Sequence, residues 1–403
     1  MLTLQEILGA RERIRGHHEV TPCPRADVFS EMCGAQIYFK LENLQRTGSF
    51  KERGASNKLL QLTVGERARG VVCASAGNHA QGVAFNAQKL GIQCTVVMPE
   101  QTPLVKVSAT RRFGASVVLK GQSYDDAFAE ARKLEAERGY VLIHAFDDDQ
   151  IIAGQGTCAL EILEQVPGVD ALVASIGGGG FLGGMALAMK SIKPSVRIIG
   201  VESSLVPKMR AALDAGGPVA ITGATNLADG IAVKRAGERT LPLFRSYVDE
   251  IVGVDDEEVA NAILMLIERE KTVAEGAGAA AVAALLHGKI KGLSQQTKVV
   301  CAISGGNIDV NLIARIIERG LVKEGRRVML SLRVPDRPGM LAGVLAAVAS
   351  ERANVLEVVH NRAFLTGAVG DTGIDLTLET RGPEHIDALI AHLAGKGYAV
   401  VRR

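Results

Sequence analysis

The chain has 403 residues, 47% hydrophobic and 22% charged, with a formal net charge of +2. So even a charge balance excludes a dedicated nucleic-acid binder, and no apolar run reaches membrane-spanning length; a cytoplasmic enzyme of two or three domains is expected. Cys23, Cys33, Cys73, Cys94, Cys158 and Cys301 are scattered without CxxC spacing, which favours small buried hydrophobes over a disulfide framework or a metal site.

In chain order, the first nineteen residues read as an amphipathic helix, with His17 and His18 on its surface. Between about 37 and 320, short β-rich runs alternate with helical ones. Strands are expected over 37–41, 71–74, 94–98, 116–119, 171–176, 197–201 and 298–303. Helices are expected over 79–90, 104–113, 124–138, 153–165, 257–269 and 308–319. This α/β alternation predicts parallel sheets covered by helices. The run Asp147, Asp148, Asp149 precedes a helix and reads as its cap. A charged, glycine-containing run at 323–327 reads as a linker. Beyond it come a strand over 328–334, a helix over 340–352, strands over 355–361 and 374–380, a helix over 383–394 and a strand over 399–402, a ferredoxin-like βαββαβ order.

Four segments at strand ends or helix starts carry potential chemistry. Lys51 stands in Thr47-Gly48-Ser49-Phe50-Lys51-Glu52-Arg53-Gly54 before a helical stretch. It is either a solvated surface lysine or, in a desolvated pocket, a Schiff-base nucleophile, with Ser49 capping the helix and Phe50 walling a planar cofactor. Ser75-Ala76-Gly77-Asn78-His79 opens a helix and offers N–H donors and an amide to a carboxylate or phenolic oxygen, or simply caps that helix. Gly177-Gly178-Gly179-Gly180-Phe181 follows a strand and suits a phosphate at a helix N-terminus. The same stretch fits G-x-G-x-x-G from Gly178 to Gly183, with Glu202 placed as a dinucleotide-binding acid, so a nicotinamide enzyme is a competing reading. Ser304-Gly305-Gly306-Asn307 is a cap or a polar contact to a ring; a neutral hydroxyl opposite a pyridine nitrogen would favour elimination over transamination.

Taken in order, these four motifs resemble the threonine dehydratases (threonine ammonia-lyases), enzymes of the tryptophan-synthase-β-like fold type II that use pyridoxal 5'-phosphate. The resemblance covers about residues 5–322. It implies a two-lobed catalytic region over 1–322 with open parallel sheets, a small lobe of about 48–145 being inserted in the large one. It further implies that Lys51 is catalytic and forms a Schiff base with the cofactor, with Phe50 beside the ring. Asn78 would bond the phenolic oxygen, Gly177, Gly178, Gly179, Gly180 and Phe181 the phosphate, and Ser304 the pyridine nitrogen. Ser75, Gly77, Asn78 and His79 would line the substrate carboxylate, and Glu275 would lie near the ring edge. Racemases of the group carry a serine where this chain has Ala76, and a divalent-cation site pairing a glutamate with an aspartate six residues on, where this chain has Glu202 and Lys208. Both departures favour a lyase with no metal, acting on threonine and also serine; a serine or hydroxyaspartate dehydratase or racemase is the alternative.

The C-terminal run Leu332-Arg333-Val334-Pro335-Asp336-Arg337-Pro338-Gly339-Met340-Leu341 resembles an ACT domain, here over 328–403. That implies control by isoleucine or valine, with effector contacts at Asp336, Gly339, Met340, Leu341 and Asn354, or a domain that only builds a homo-oligomer, a dimer or tetramer.

Overall fold

The computed structural model describes residues 2–223, 227–362 and 370–403. The strands in chain order are β1 (Gln36–Leu41), β2 (Val71–Ala74), β3 (Cys94–Met98), β4 (Ser116–Leu119), β5 (Val141–Leu142), β6 (Ala171–Ser175), β7 (Arg197–Ser203), β8 (Glu250–Val254), β9 (Lys298–Ile303), β10 (Arg327–Pro335), β11 (Asn354–Asn361), β12 (Asp371–Glu379) and β13 (Ala399–Arg402). Two compact units result, one ending at Ile308 and the other starting at Asp309.

The first unit holds two parallel sheets, ordered β1-β9-β6-β7-β8 and β4-β3-β2-β5. Their central strands are apolar throughout because both faces are covered: every residue of β2, β3 and β6 is buried. Each sheet has one point where strand order reverses. In the smaller sheet it lies between β2 and β5, and in the larger between β6 and β9. Loops leaving such a pair diverge to opposite faces and leave a crevice at the carboxyl ends. The segments after β2, β5, β6 and β9 are therefore the ones placed to hold a ligand, and three of the four motifs above lie there.

In the second unit the helix Val310–Lys323 leads through a turn at Gly325 (φ +68) into β10, so the charged run expected as a linker is that turn. The sheet β11-β12-β10-β13 is antiparallel throughout. Burial alternates along β10 and β12, the mark of a sheet with one covered face, and Val344, Val348, Ile386, Leu389 and Leu393 from two helices pack into the same core. This is the ferredoxin-like arrangement expected.

Some expectations need correction. The N-terminal helix ends at Ile14, and His18 is buried, its ring facing the Ile14 carbonyl (3.0 Å) and the Glu161 carboxylate (3.0 Å). A histidine beside a hydrophilic helix end looks solvated until a carboxylate distant in sequence arrives. Two strands, β5 and β8, and the helix Gly276–Leu286 were not expected.

Candidate active site

Lys51 is the first residue of the helix Lys51–Leu60. Ser49 does not cap it, contrary to expectation: Phe50 occupies the cap position without a side-chain bond, and the Ser49 hydroxyl is buried with no partner. The chain is instead held by pairing with the loop after β9. Phe50 N donates to Ser304 O (3.1 Å), Gly306 N donates to Gly48 O (2.9 Å), and Ser49 bridges Gly305.

The Lys51 side chain is half-buried, and its ammonium donates to Ala145 O (2.6 Å) in the segment after β5. His144 closes that turn, its Nδ1 accepting from Phe146 N (3.2 Å) and Asp147 N (2.8 Å). Burial pushes the Lys51 ammonium down to about 8 against the opposing pull of Glu275. Burial also pushes the Glu275 carboxyl up to about 8, with repulsion from Asp229 adding to it.

Asn78 begins the helix Asn78–Lys89 after β2, and its amide is fixed from both ends. Nδ2 donates to Glu275 Oε1 (2.5 Å), and Oδ1 accepts from Asn307 Nδ2 (2.8 Å), which also donates to Thr47 O (2.7 Å). One Nδ2 hydrogen of Asn78 is left for a ligand. His79 is buried and its Nε2 donates to Ile143 O (2.9 Å). Burial, with Lys51 adding repulsion, holds His79 down at about 3, so it is a neutral ring with its proton engaged. Positive character for an anion must come here from backbone N–H groups. Ser75 Oγ accepts from Gly77 N (3.2 Å) on the same turn.

The glycine loop turns β6 into the helix Gly180–Ile192. A Cβ on Gly178 would stand 2.2 Å from the Phe146 ring, and Gly179 adopts φ +99 with Met209 Cε and Thr240 Oγ1 each 2.8 Å from where a Cβ would lie. The turn is closed from behind by Thr240, whose hydroxyl donates to Gly178 O (2.7 Å). Phe181, in the first helical turn, stacks on Phe50 with centroids 4.0 Å apart and planes 18° from parallel. Ser304, after β9, is buried with its hydroxyl 3.3 Å from that of Ser175 and 3.4 Å from Ala277 O, with no charged neighbour among its bonded partners.

The structure thus links the predicted Lys51, Phe50, Asn78, Phe181, Glu275 and Ser304 through direct contacts or shared partners. Other assignments fare differently. Glu202 is 2% exposed and accepts from Met209 N (3.0 Å) and Arg210 N (3.2 Å), so it is not free to bind a ribose, and the dinucleotide alternative loses its acid. The Lys208 ammonium stands 3.7 Å from Glu202, where a cation would otherwise go. Asp148 caps the helix Asp149–Gln165, while Asp147 accepts from Glu238 N (3.1 Å) and Arg239 N (2.8 Å). Sequence reasoning missed Ala145, which contributes only a backbone oxygen and so leaves no side-chain signal. It also missed Phe146, a lone aromatic before three aspartates that could have been noticed.

In the second unit, Asp336, Gly339, Met340 and Leu341 line a cleft of about 300 Å³ with His360 and Arg362. Arg362 donates to Asp336 (2.9 Å from Nε). Asn354 is elsewhere, donating to Glu379 (3.2 Å) at the start of β11.

A desolvated lysine, glycine N–H groups at a helix start and a neutral buried hydroxyl form the donor set that a planar aldehyde with a phosphate arm requires. The glycine cradle, which a Cβ would fill, fits that arm. The profile of pyridoxal-phosphate-dependent enzymes matches residues 14–305. An L-threonine ammonia-lyase from Thermotoga maritima is 48% identical over 401 residues, 99% of either chain. Among solved structures, the processed form of threonine deaminase isoform 2 from Solanum lycopersicum superimposes with a TM-score of 0.74 at 35% identity, over 78% of this chain and 86% of that one. A serine racemase from Dictyostelium discoideum gives 0.72 at 35% identity, over 77% and 99%. With the site's geometry and these matches in agreement, the chain belongs to the pyridoxal-phosphate-dependent enzymes, in the threonine ammonia-lyase family.

Proposed function

We propose that this enzyme deaminates L-threonine to 2-oxobutanoate and ammonia, and L-serine to pyruvate and ammonia, as a cytoplasmic homo-oligomer. The observation that carries the reading is the placement of Lys51, its amine bonded to Ala145 O after β5 and its backbone flank paired with the segment after β9, where burial pushes the ammonium down to about 8. At pH 7 about one molecule in ten then holds it as a free amine, against about one in three thousand for an ordinary lysine. Pyridoxal phosphate, when bound, supplies an electron sink for negative charge developing at the substrate Cα. Lys51 would hold the cofactor and, once its amine is released by the incoming substrate amine, would take the Cα proton. Asn78 would orient the ring through its remaining amide hydrogen, the Gly177–Gly180 backbone would hold the phosphate, and the neutral Ser304 hydroxyl would meet the ring nitrogen. Ser75 and the N–H groups at the start of the Asn78 helix bind the substrate carboxylate. Ala76 offers no hydroxyl to return a proton on the opposite face, which supports elimination over racemisation.

The test is a spectrum and an assay together. The purified holoenzyme should absorb in the violet and form 2-oxo acid from threonine, and Lys51→Ala should lose both. A colourless holoprotein, or one that turns over neither threonine nor serine, would sink the reading.

We propose further that the cleft at Asp336 and Arg362 binds isoleucine or valine, the guanidinium taking the carboxylate while Leu341 and Ile374 face the aliphatic chain. Turnover measured with and without each amino acid, in the native chain and in Arg362→Ala, checks this. Rates and KM unmoved by any effector would end it.

A further inference from the structure

Lys208 is 0% exposed, and nothing in the roles above uses it. An ammonium is taken out of water at substantial cost unless its donors are matched. Here they are matched by backbone. Nζ donates to Ile176 O and to Ile231 O (3.1 Å), while Glu202, itself 2% exposed, balances the charge from 3.7 Å. Ile176 immediately precedes the glycine loop. Ile231 lies in a segment packed against the loop, where Gly230 O is 3.5 Å from the position of a Gly177 Cβ. Glu202 also accepts from Met209 N and Arg210 N, which docks the next helix so that the Met209 methyl lies beneath Gly179.

A trans peptide points its carbonyl and its N–H in opposite directions. A donor that holds Ile176 O on one side of the chain therefore aims the Gly177 N–H to the other. Thr240 does the same two residues further on, holding Gly178 O and so aiming the Gly179 N–H. Ile176 O and Gly178 O are thus each held by a donor, which turns the N–H groups of Gly177 and Gly179 away from those donors. A methionine at 208 would fill the same space without pinning anything.

We propose that Lys208 is a positioning residue for the phosphate arm of the cofactor, its buried ammonium fixing the Ile176 and Ile231 carbonyls so that the loop N–H groups converge. The inference rests on the reading of Gly177–Gly180 as the phosphate site, and the experiment separates the two. Apoprotein is titrated with pyridoxal phosphate and with pyridoxal, which carries the same aldehyde and ring without the phosphate; inorganic phosphate is tested as a competitor. Lys208→Met should weaken pyridoxal phosphate by about tenfold or more, as loss of a charged hydrogen-bond anchor implies, and leave pyridoxal within about twofold. Phosphate should also compete less well. A general packing defect would weaken both ligands together. Should the unpaired Glu202 prevent folding, Glu202→Gln/Lys208→Met removes both charges and is read by the same ratio. If native protein prefers pyridoxal phosphate and the variants keep that preference, or weaken both ligands equally, the role of Lys208 is overturned. If native protein itself shows no preference, the phosphate-site reading fails first.

Discussion

Two residues beyond Lys51, Arg53 anchors the helix Lys51–Leu60 in a buried ion cluster, and replacing it with methionine tests what holds that helix. Its Nε and Nη2 donate to Glu42 (2.7 and 2.8 Å), and its Nη1 and Nη2 donate to Glu161 (2.6 and 2.7 Å). Lys40 donates to Glu161 as well (2.6 Å). Two cations thus balance two carboxylates where Lys40, Glu42 and Arg53 are each 0% exposed. Burial pushes both carboxyls up, but Arg53 and Lys40, with His18 bonded to Glu161, hold them below the usual carboxylate range. Arg53→Met leaves one buried negative charge without a partner, a loss of about 3–5 kcal/mol. Since the chain has no tryptophan, urea unfolding is followed by circular dichroism. Glu42→Gln/Arg53→Met restores the balance and should recover at least about 1 kcal/mol of that loss. The pH dependence has a definite sign. A depressed carboxyl stabilises the fold above its unfolded pKa, and that stability is lost as pH falls through the folded value, so the native protein should lose more on acidification than the variant. A loss below about 1 kcal/mol in Arg53→Met would refute the claim that this cluster anchors the helix.

Further outcomes follow from the same geometry. Covalent labelling of the apoprotein at Lys51 by pyridoxal phosphate and borohydride requires the neutral amine, so its rate should rise through about pH 8 and level off above it. A midpoint above about 10, the ordinary lysine value, contradicts the desolvation argument. Glu275 pulls the Lys51 proton inward, so Glu275→Gln should move that midpoint lower; an unmoved or higher midpoint counts against the coupling. Gly179→Ala places a Cβ 2.8 Å from Met209 and Thr240 at φ +99. Strain of about 1–2 kcal/mol should cost about tenfold in cofactor affinity, measured by equilibrium titration, and undiminished affinity would show that the loop can relax.

Much of this site was legible because its side chains sit at strand ends, where glycine and small polar residues interrupt apolar runs. The motifs at Lys51, Asn78, Gly177 and Ser304 are local signals of that kind. What could not be read is non-local or silent. The helix Gly276–Leu286 is buried on every side, so its sequence has no amphipathic period to detect. The strand β5 is only two residues long. Ala145 acts through a carbonyl, and His18 and Lys208 become intelligible only when Glu161 and Ile231 are brought beside them. In the second unit the turn at Asp336 was visible, whereas Arg362, one residue beyond β11, had nothing in its neighbours to single it out.

The stack of Phe50 on Phe181 joins the residue before Lys51 to the first turn of the helix behind the glycine loop. The contact ties the two positions together, so they are expected to change as a pair. A smaller side chain at 50 should withdraw support from the glycine loop, and one at 181 should loosen the Lys51 side. Libraries that randomise either alone should return phenylalanine or a close aromatic, while libraries that randomise both should recover matched pairs whose combined volume is preserved.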